Sequence, residues 1–260
     1  MTDPKVLRRD ILRMIHSAES GHPGGSLSLV EILVHLYWTE MRIRPEEPRW
    51  AERDRLVLSK GHGAPALYAV LAHRGYFKKE KLNQLRKFGS GLEGHPHMDS
   101  LPGLDCSTGS LGHGLGIAAG LAMGLTLDNM KSRVFCILGD GELQEGSIWE
   151  SAMSASFYSQ KNLVAIVDRN RVQLDDSVQS IMAVEPLADK WKAFGWTVAE
   201  CNGHDLHDIN RAMRTVHSGP LAVIANTVKG RGVSFMENSP LWHGMAPSDE
   251  ELERALKELA

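Results

Sequence analysis

The sequence predicts an α/β fold, a mainly parallel sheet with helices on both faces, and three observations carry that prediction. Residues 134–138 and 163–167 are short, unbroken apolar runs, the pattern of strands buried on both sides. Each run leads into a stretch with helical apolar spacing, giving strand–helix units at 134–160 and 163–195, the second with a loop from about Asn170 to Glu185. Residues 196–200 and 221–226 repeat the strand signal around a helical pattern near 206–217. Parallel strands need a crossover connection, so strands that alternate with helices favour parallel pairing.

The remaining elements follow from end signals and spacing. Asp3 and Pro4 form an N-cap and first helical position, with Leu7, Ile11 and Ile15 spaced behind them. Ser28 and Glu31 have capping-box spacing ahead of Leu29, Ile32, Leu33, Leu36 and Tyr37. A helix is expected from Pro65 to about Arg74, stopped by Gly75, and a shorter one at 80–88. A loop rich in Gly, Pro, His and Asp then runs from 89 to about 108. Gly112, Gly116, Gly120 and Gly124 recur every fourth residue, a helix ridge without side chains that costs about 1 kcal/mol per glycine relative to alanine. Close approach of another helix, from this chain or a partner, would offset that cost. Residues 1–260 read as one domain, with 241–260 as a C-terminal helical tail carrying Leu252, Leu256 and Leu259 on one face.

Composition narrows the function classes. The 260 residues carry a net charge of −3, which offers no basic field for nucleic acid or an anionic membrane. The least polar stretch, 111–127, is crowded with glycine and interrupted by His113, and falls short of the roughly 20 residues that a membrane span needs. Cys106, Cys136 and Cys201 are too far apart for a disulfide framework or zinc knuckle, so a reducing, cytoplasmic setting is expected. Asp10 and Glu19 among the early arginines argue against a transit peptide.

Chemistry concentrates at two features. Gly139-Asp140-Gly141 closes one strand and Asn170 closes the next. In an open α/β sheet both reach the rim beyond the carboxyl ends of the strands, where ligands bind. An aspartate and an asparagine there are hard oxygen donors suited to Mg²⁺ or Ca²⁺ on a diphosphate. Of the 12 histidines, five lie in Gly-flanked segments around His22, His62, His95, His113 and His243. Such rings can donate to phosphate or sugar oxygens. His16, His35, His73, His204, His207 and His217 read as structural. His95 and His97 leave a histidine-ligated metal open, although no metalloprotease-like spacing accompanies them.

In order along the chain, Ser20-Gly21-His22-Pro23-Gly24, Leu58-Ser59-Lys60-Gly61-His62-Gly63, Gly94-His95-Pro96, Thr108-Gly109-Ser110-Leu111-Gly112, Gly139-Asp140-Gly141-Glu142-Leu143-Gln144-Glu145-Gly146, Asn170 and Trp242-His243-Gly244 resemble the transketolase family, specifically its first, diphosphate-binding domain. The resemblance implies a thiamine-diphosphate-binding fold and the cofactors thiamine diphosphate and Mg²⁺ (or Ca²⁺). By position Asp140, Asn170 and the Val172 carbonyl would hold the metal, and His62 and His243 would contact the diphosphate. Gly141 would lie beside the diphosphate, and Gly109, Ser110 and Leu111 would approach the aminopyrimidine ring. His22 and His95 match positions that face the sugar. Glu145 matches a buried carboxylate that meets its counterpart's glutamate across a dimer. Ser110 and His113 depart from the proline and glutamine of many transketolases, and Arg169 from an asparagine of many thiamine-diphosphate enzymes, which bears on the substrate pocket.

In the family, the glutamate that activates the cofactor lies in a second, pyrimidine-binding domain, and the phosphate-binding residues lie largely there too. The expectation is therefore the N-terminal subunit of a split transketolase, paired with a C-terminal subunit in an α₂β₂ assembly. Together they would move a two-carbon ketol unit from a ketose or ketose phosphate to an aldose. Three other readings stay open at this point. One is a subunit of another thiamine-diphosphate enzyme, deoxyxylulose-phosphate-synthase-like or 2-oxoacid-decarboxylating. The others are a metal-dependent hydrolase and a non-catalytic cofactor-binding subunit.

Overall fold

Five strands, β1 Arg55–Leu58, β2 Val134–Gly139, β3 Leu163–Arg169, β4 Thr197–Asn202 and β5 Leu221–Asn226, form one parallel sheet in the order β1-β2-β3-β5-β4, in a computed structural model that describes residues 2–260. Val134 pairs with Arg55 and Leu163, and Leu221 with Val164 and Thr197. Gly139 therefore ends beside Asp168, and Arg169 beside Asn226, so the loops after β1, β2, β3 and β5 open on one rim.

Strand residues alternate between two helical layers, as the two-residue period of a strand requires. Phe135, Ile137, Val164, Ile166 and Val223 pack beneath α1 Pro4–Ser17, α2 Pro23–Leu27, α3 Val30–His35, α4 Ala64–His73, α9 Leu206–Met213 and α10 Asp249–Glu258. Val134, Cys136, Leu138, Ala165 and Val167 pack against α5 Gly114–Leu127, α6 Gly146–Phe157 and α8 Leu187–Ala193, with α7 Val178–Met182 adding Val178.

Asp3 caps α1 by accepting from the Lys5 N–H, with Pro4 in the first position as its spacing predicts. The tail helix α10 has a full capping box from Ser248 and Glu251 and packs along α1. Lys5 Nζ donates to the Ala260 carbonyl (2.7 Å) and Arg9 to that of Leu259 (2.6 Å), which are cations answering the free carbonyls at a helix C-terminus.

Several expectations are corrected. Ser28 and Glu31 are not a capping box, because tertiary partners claim both side chains. Ser28 Oγ donates to Asp168 (2.6 Å), and Glu31 accepts from the two terminal guanidinium nitrogens of buried Arg8 (2.7 and 2.8 Å) and from His204 Nδ1 (2.9 Å). Residues 79–84 form a 3₁₀ helix instead of an α-helix at 80–88, and α9 stops at Met213. β1 carries no expectation from the sequence: four residues flanked by charge are too short to show a period. β4 runs two residues beyond its expected end.

The glycine ridge is real from Gly116 onward, while Gly112 lies outside the helix at φ +89°. A Cβ on Gly116 would come within 3.0 Å of Ser151 Oγ on α6, but one on Gly120 or Gly124 would meet nothing within 4 Å. Around that bare stretch Ile117, Leu127, Met153, Phe157 and Tyr158 are exposed. Among the described residues, no helix is long and apolar enough to cross a membrane.

Candidate cofactor and substrate site

The rim gathers four of the five Gly-flanked histidines into one cluster. The ring of His22 lies 5.4 Å from His62, 5.5 Å from His243 and 6.1 Å from His95, and His62 lies 5.2 Å from His243, centroid to centroid. His22 precedes α2, His62 sits in the turn between β1 and α4, and His243 ends a 3₁₀ turn, so tertiary packing alone unites them. His95 lies in the 89–108 loop, and a Cβ on Gly109 would come within 3.2 Å of its ring. His113 precedes α5 and is exposed.

Burial and neighbouring cations keep these imidazoles neutral. Burial, then the Arg86 charge, lowers His22 to about 4, and burial with Lys229 lowers His243 to about 3. Burial and Lys60 hold His62 well below its ordinary value, and burial and Arg86 lower His95. A neutral imidazole offers one donor and one acceptor, the hydrogen-bonding pattern of a sugar hydroxyl or a phosphate oxygen. His22 Nδ1 is buried without a partner.

A cavity of about 340 Å³ beside the cluster is lined by Gly25, Lys60, His62, Leu111, Asp140, Gly141, Glu145, Asn170, Val172, Lys229 and His243. Asp140 accepts from the Gly141 (2.9 Å) and Arg171 (2.6 Å) N–H groups, and burial with the Asp168 charge pushes it up to about 6. Asn170 Oδ1 accepts from Val172 N (3.1 Å), and its amide donates to Asp168 (3.3 Å). The Val172 carbonyl accepts from Lys229 Nζ (3.1 Å).

The charges beneath this cavity carry no expectation from the sequence. Lys60, 1% exposed, pairs with Asp168 at 2.5 Å, and Asp168 also accepts from Ser28 and Thr227. Burial favours the neutral acid, but the Lys60 charge and the hydrogen bonds from Lys60, Ser28 and Thr227 together outweigh it and hold Asp168 low. Lys229, also 1% exposed, has different company: its Nζ donates to the carbonyls of Val172 and Gln173 (3.2 Å) and to His243 Nδ1 (2.9 Å). Burial and Lys60 bring it down to about 8. Both lysines closely follow a strand that ends at the rim, and that position is the signal that could have found them.

Of the two glutamates at 142 and 145, Glu142 is the one buried within this chain. It binds Ser59 Oγ, Gly112 N (3.0 Å) and Gly139 N (3.1 Å), tying the 108–112 segment to β2, and burial raises its pKa. Glu145, expected to meet a second carboxylate across a dimer, is exposed in the single chain. Ser110 is exposed as well, and Leu111 borders the cavity. His97 points away, pairing at 3.9 Å with Glu93, so no histidine pair forms there.

Residues 5–260 match the family described as "Transketolase, thiamine diphosphate binding domain". The chain belongs to the transketolase family. It is 41% identical over 256 residues to one subunit of the apulose-4-phosphate transketolase of Phocaeicola vulgatus, covering 97% of this chain and 91% of that one. It is 44% identical over 257 residues to a 6-deoxy-6-sulfo-D-fructose transketolase subunit of a Clostridium species, covering 98% and 94%. The transketolase structure from Campylobacter jejuni superposes with a TM-score of 0.91 at 32% identity over 98% of this chain. The chain spans 42% of that enzyme and 41% of human transketolase, to which it is 40% identical.

The donor inventory fits the cofactor that the family binds. Among the described residues, no three His, Cys, Asp or Glu side chains are grouped to hold a metal. One carboxylate, one amide and one carbonyl suit a Mg²⁺ that completes its octahedron with phosphate oxygens and water. A buried lysine whose partners are all neutral suits an anion beside it.

Proposed function

We propose that this chain is the diphosphate-binding subunit of a two-chain transketolase. With a separate subunit carrying the pyrimidine-binding domain, arranged as α₂β₂, it transfers a two-carbon ketol unit from a ketose donor to an aldose acceptor in the cytoplasm. The observation that carries this reading is the buried Lys229, answered only by neutral groups, beside the oxygen set of Asp140, Asn170 and Val172 and the clustered neutral histidines.

Asp140, Asn170 and the Val172 carbonyl would hold Mg²⁺ or Ca²⁺. Lys229 lies on the Val172 carbonyl, so a cation there would send its ammonium toward the diphosphate, with His62, His243 and the Gly141 backbone. Gly109, Ser110 and Leu111 would border the aminopyrimidine. Thiamine diphosphate, when bound, supplies a nucleophilic carbon and an electron sink for breaking a carbon–carbon bond next to a carbonyl. His22 and His95 would donate to the hydroxyls of the sugar and to the oxygen that gains charge, each through the one N–H that its neutral ring keeps. Glu145 is placed on the surface, where a second subunit would bury it against another carboxylate.

Support for a two-chain enzyme comes from relatives named as subunits, 91% and 94% covered by this chain, and from the bare ridge of α5. The three free cysteines fit a reducing compartment. Assay of the purified chain, the complementary chain and their mixture for ketol transfer tests the proposal. Activity in the mixture alone is expected, and full activity in the single chain would overturn it.

A further inference from the structure

The backbone that would border the aminopyrimidine ring is secured at its ends and free in its middle. Thr108 N donates to the Pro96 carbonyl (3.0 Å), in the loop that carries His95. At the other end Gly112 N donates to Glu142 Oε1 (3.0 Å), and the Gly112 carbonyl accepts from Ser147 Oγ (3.0 Å). Among the described residues, the N–H groups of Gly109, Ser110 and Leu111 donate to no protein acceptor. Leu111 borders the cavity of about 340 Å³, and Gly61, beside His62, packs so closely that a Cβ on it would come within 2.9 Å of Gly109 N. Where this segment sits therefore depends on what grips Thr108 and Gly112.

Glu142 grips more than Gly112. It lies in the 3₁₀ turn Gly141–Gln144, directly after Asp140, and its side chain is buried. Oε2 accepts from N of Gly139, the last residue of β2 (3.1 Å), and Oε1 also accepts from Ser59 Oγ, just past β1. One carboxylate thus joins the ring-bordering segment, the end of β1 and the strand end that leads into Asp140. Three donors converge on it, and a carboxylate meets them with acceptors alone. Glutamine has the same shape but a single acceptor oxygen. Its amide group would face the N–H of either Gly139 or Gly112 and leave that buried donor unmet.

We propose that Glu142 is a positioning residue for the cofactor. By holding Gly112 and Gly139 together it fixes the ring-bordering segment relative to the metal-binding turn, so that ring and diphosphate are bound as one unit. The assignment rests on the transketolase reading above and deepens it.

The test is calorimetric titration of the assembled two-chain enzyme, in Mg²⁺, with thiamine diphosphate and with inorganic pyrophosphate. In Glu142→Gln the affinity for thiamine diphosphate should fall about tenfold while that for pyrophosphate holds, because only the ring loses its fixed border. The near-ultraviolet circular dichroism of the bound cofactor should change with it. Ser147→Ala frees the same Gly112 peptide from its carbonyl side without touching β2, and should give the same selective loss at about threefold. That second variant decides the matter if Glu142→Gln does not fold. Equal weakening of both ligands would make Glu142 a support of the fold or of the metal turn and overturn the assignment, as would unchanged affinity for both. A wild-type pair that holds thiamine diphosphate no more tightly than pyrophosphate overturns the functional reading, and this assignment with it.

Discussion

Two buried charge clusters in this fold differ in what answers them. In the helical layer, Arg8, Glu31 and His204 form a closed set: two guanidinium bonds and one imidazole bond converge on Glu31, and His204 Nε2 accepts from Val228 N (2.8 Å). At the rim, Lys229 is as deeply buried but touches only carbonyls and an imidazole, while Asp140 is held by two backbone N–H groups. The closed cluster joins α1, α3 and the loop after β4 and holds the layer together. In the open one Lys229 has, among the described residues, no carboxylate within ion-pair distance, a place that a diphosphate and its cation would fill. The same contrast separates the two layers, since Gly120 and Gly124 face open space on α5.

The largest expected effects fall on opposite properties. Asp140→Ala should weaken Mg²⁺-dependent binding of thiamine diphosphate by about 3–5 kcal/mol, measured by calorimetry on the assembled pair, while leaving the melting temperature of the chain nearly unchanged. Glu31→Gln should do the reverse. It leaves buried Arg8 without its anion and should cost about 3–5 kcal/mol of stability by urea unfolding, with cofactor affinity retained. If each variant damaged both properties equally, the division between a closed and an open cluster would be wrong.

Acid sharpens the same comparison. Burial pushes Glu31 up, but the hydrogen bonds from His204 and Arg8 win and bring it down to about 2, against an ordinary 4.5. A depressed carboxylate contributes fully above its unfolded value and loses that contribution as pH falls through the folded one. The stability gap between the native chain and Glu31→Gln should therefore be widest above pH 4.5 and close toward pH 2.

Smaller effects follow at Lys229 and Gly120. Lys229→Met should weaken thiamine diphosphate binding by about 1.5–3 kcal/mol, with a much smaller effect on binding of thiamine without its phosphates. Gly120→Ala should stabilise the isolated chain by up to about 1 kcal/mol, because helix propensity improves and the new Cβ meets nothing. The same change should weaken pairing with the complementary subunit, read by sedimentation of the mixture. Undiminished pairing would leave the bare ridge without its proposed use.

What was legible in the sequence was local. Gly139-Asp140-Gly141 and Asn170 declare themselves because each lies at or just past a strand end, and register brings adjacent strand ends together. The histidines carry glycine neighbours that mark them as loop residues. Partnerships across long separations left no such trace. Lys60 and Asp168 lie 108 residues apart, and Arg8 finds Glu31 only through packing of α1 on α3. Ser28 and Glu31 show how spacing misleads: they fit a local capping pattern, but Asp168 and Arg8 compete for their oxygens and win. Glu142 and Glu145 were separable only by packing, since one turns inward to Gly112 and the other to the surface.

The central claim is that the open charges at the rim are completed by a diphosphate and its cation. Calorimetric titration of the assembled pair with thiamine diphosphate and with thiamine, each with Mg²⁺ and with a chelator, tests it most directly. Tight binding is predicted only for thiamine diphosphate with Mg²⁺. Equal affinity for thiamine, or affinity unaffected by the chelator, would contradict the account.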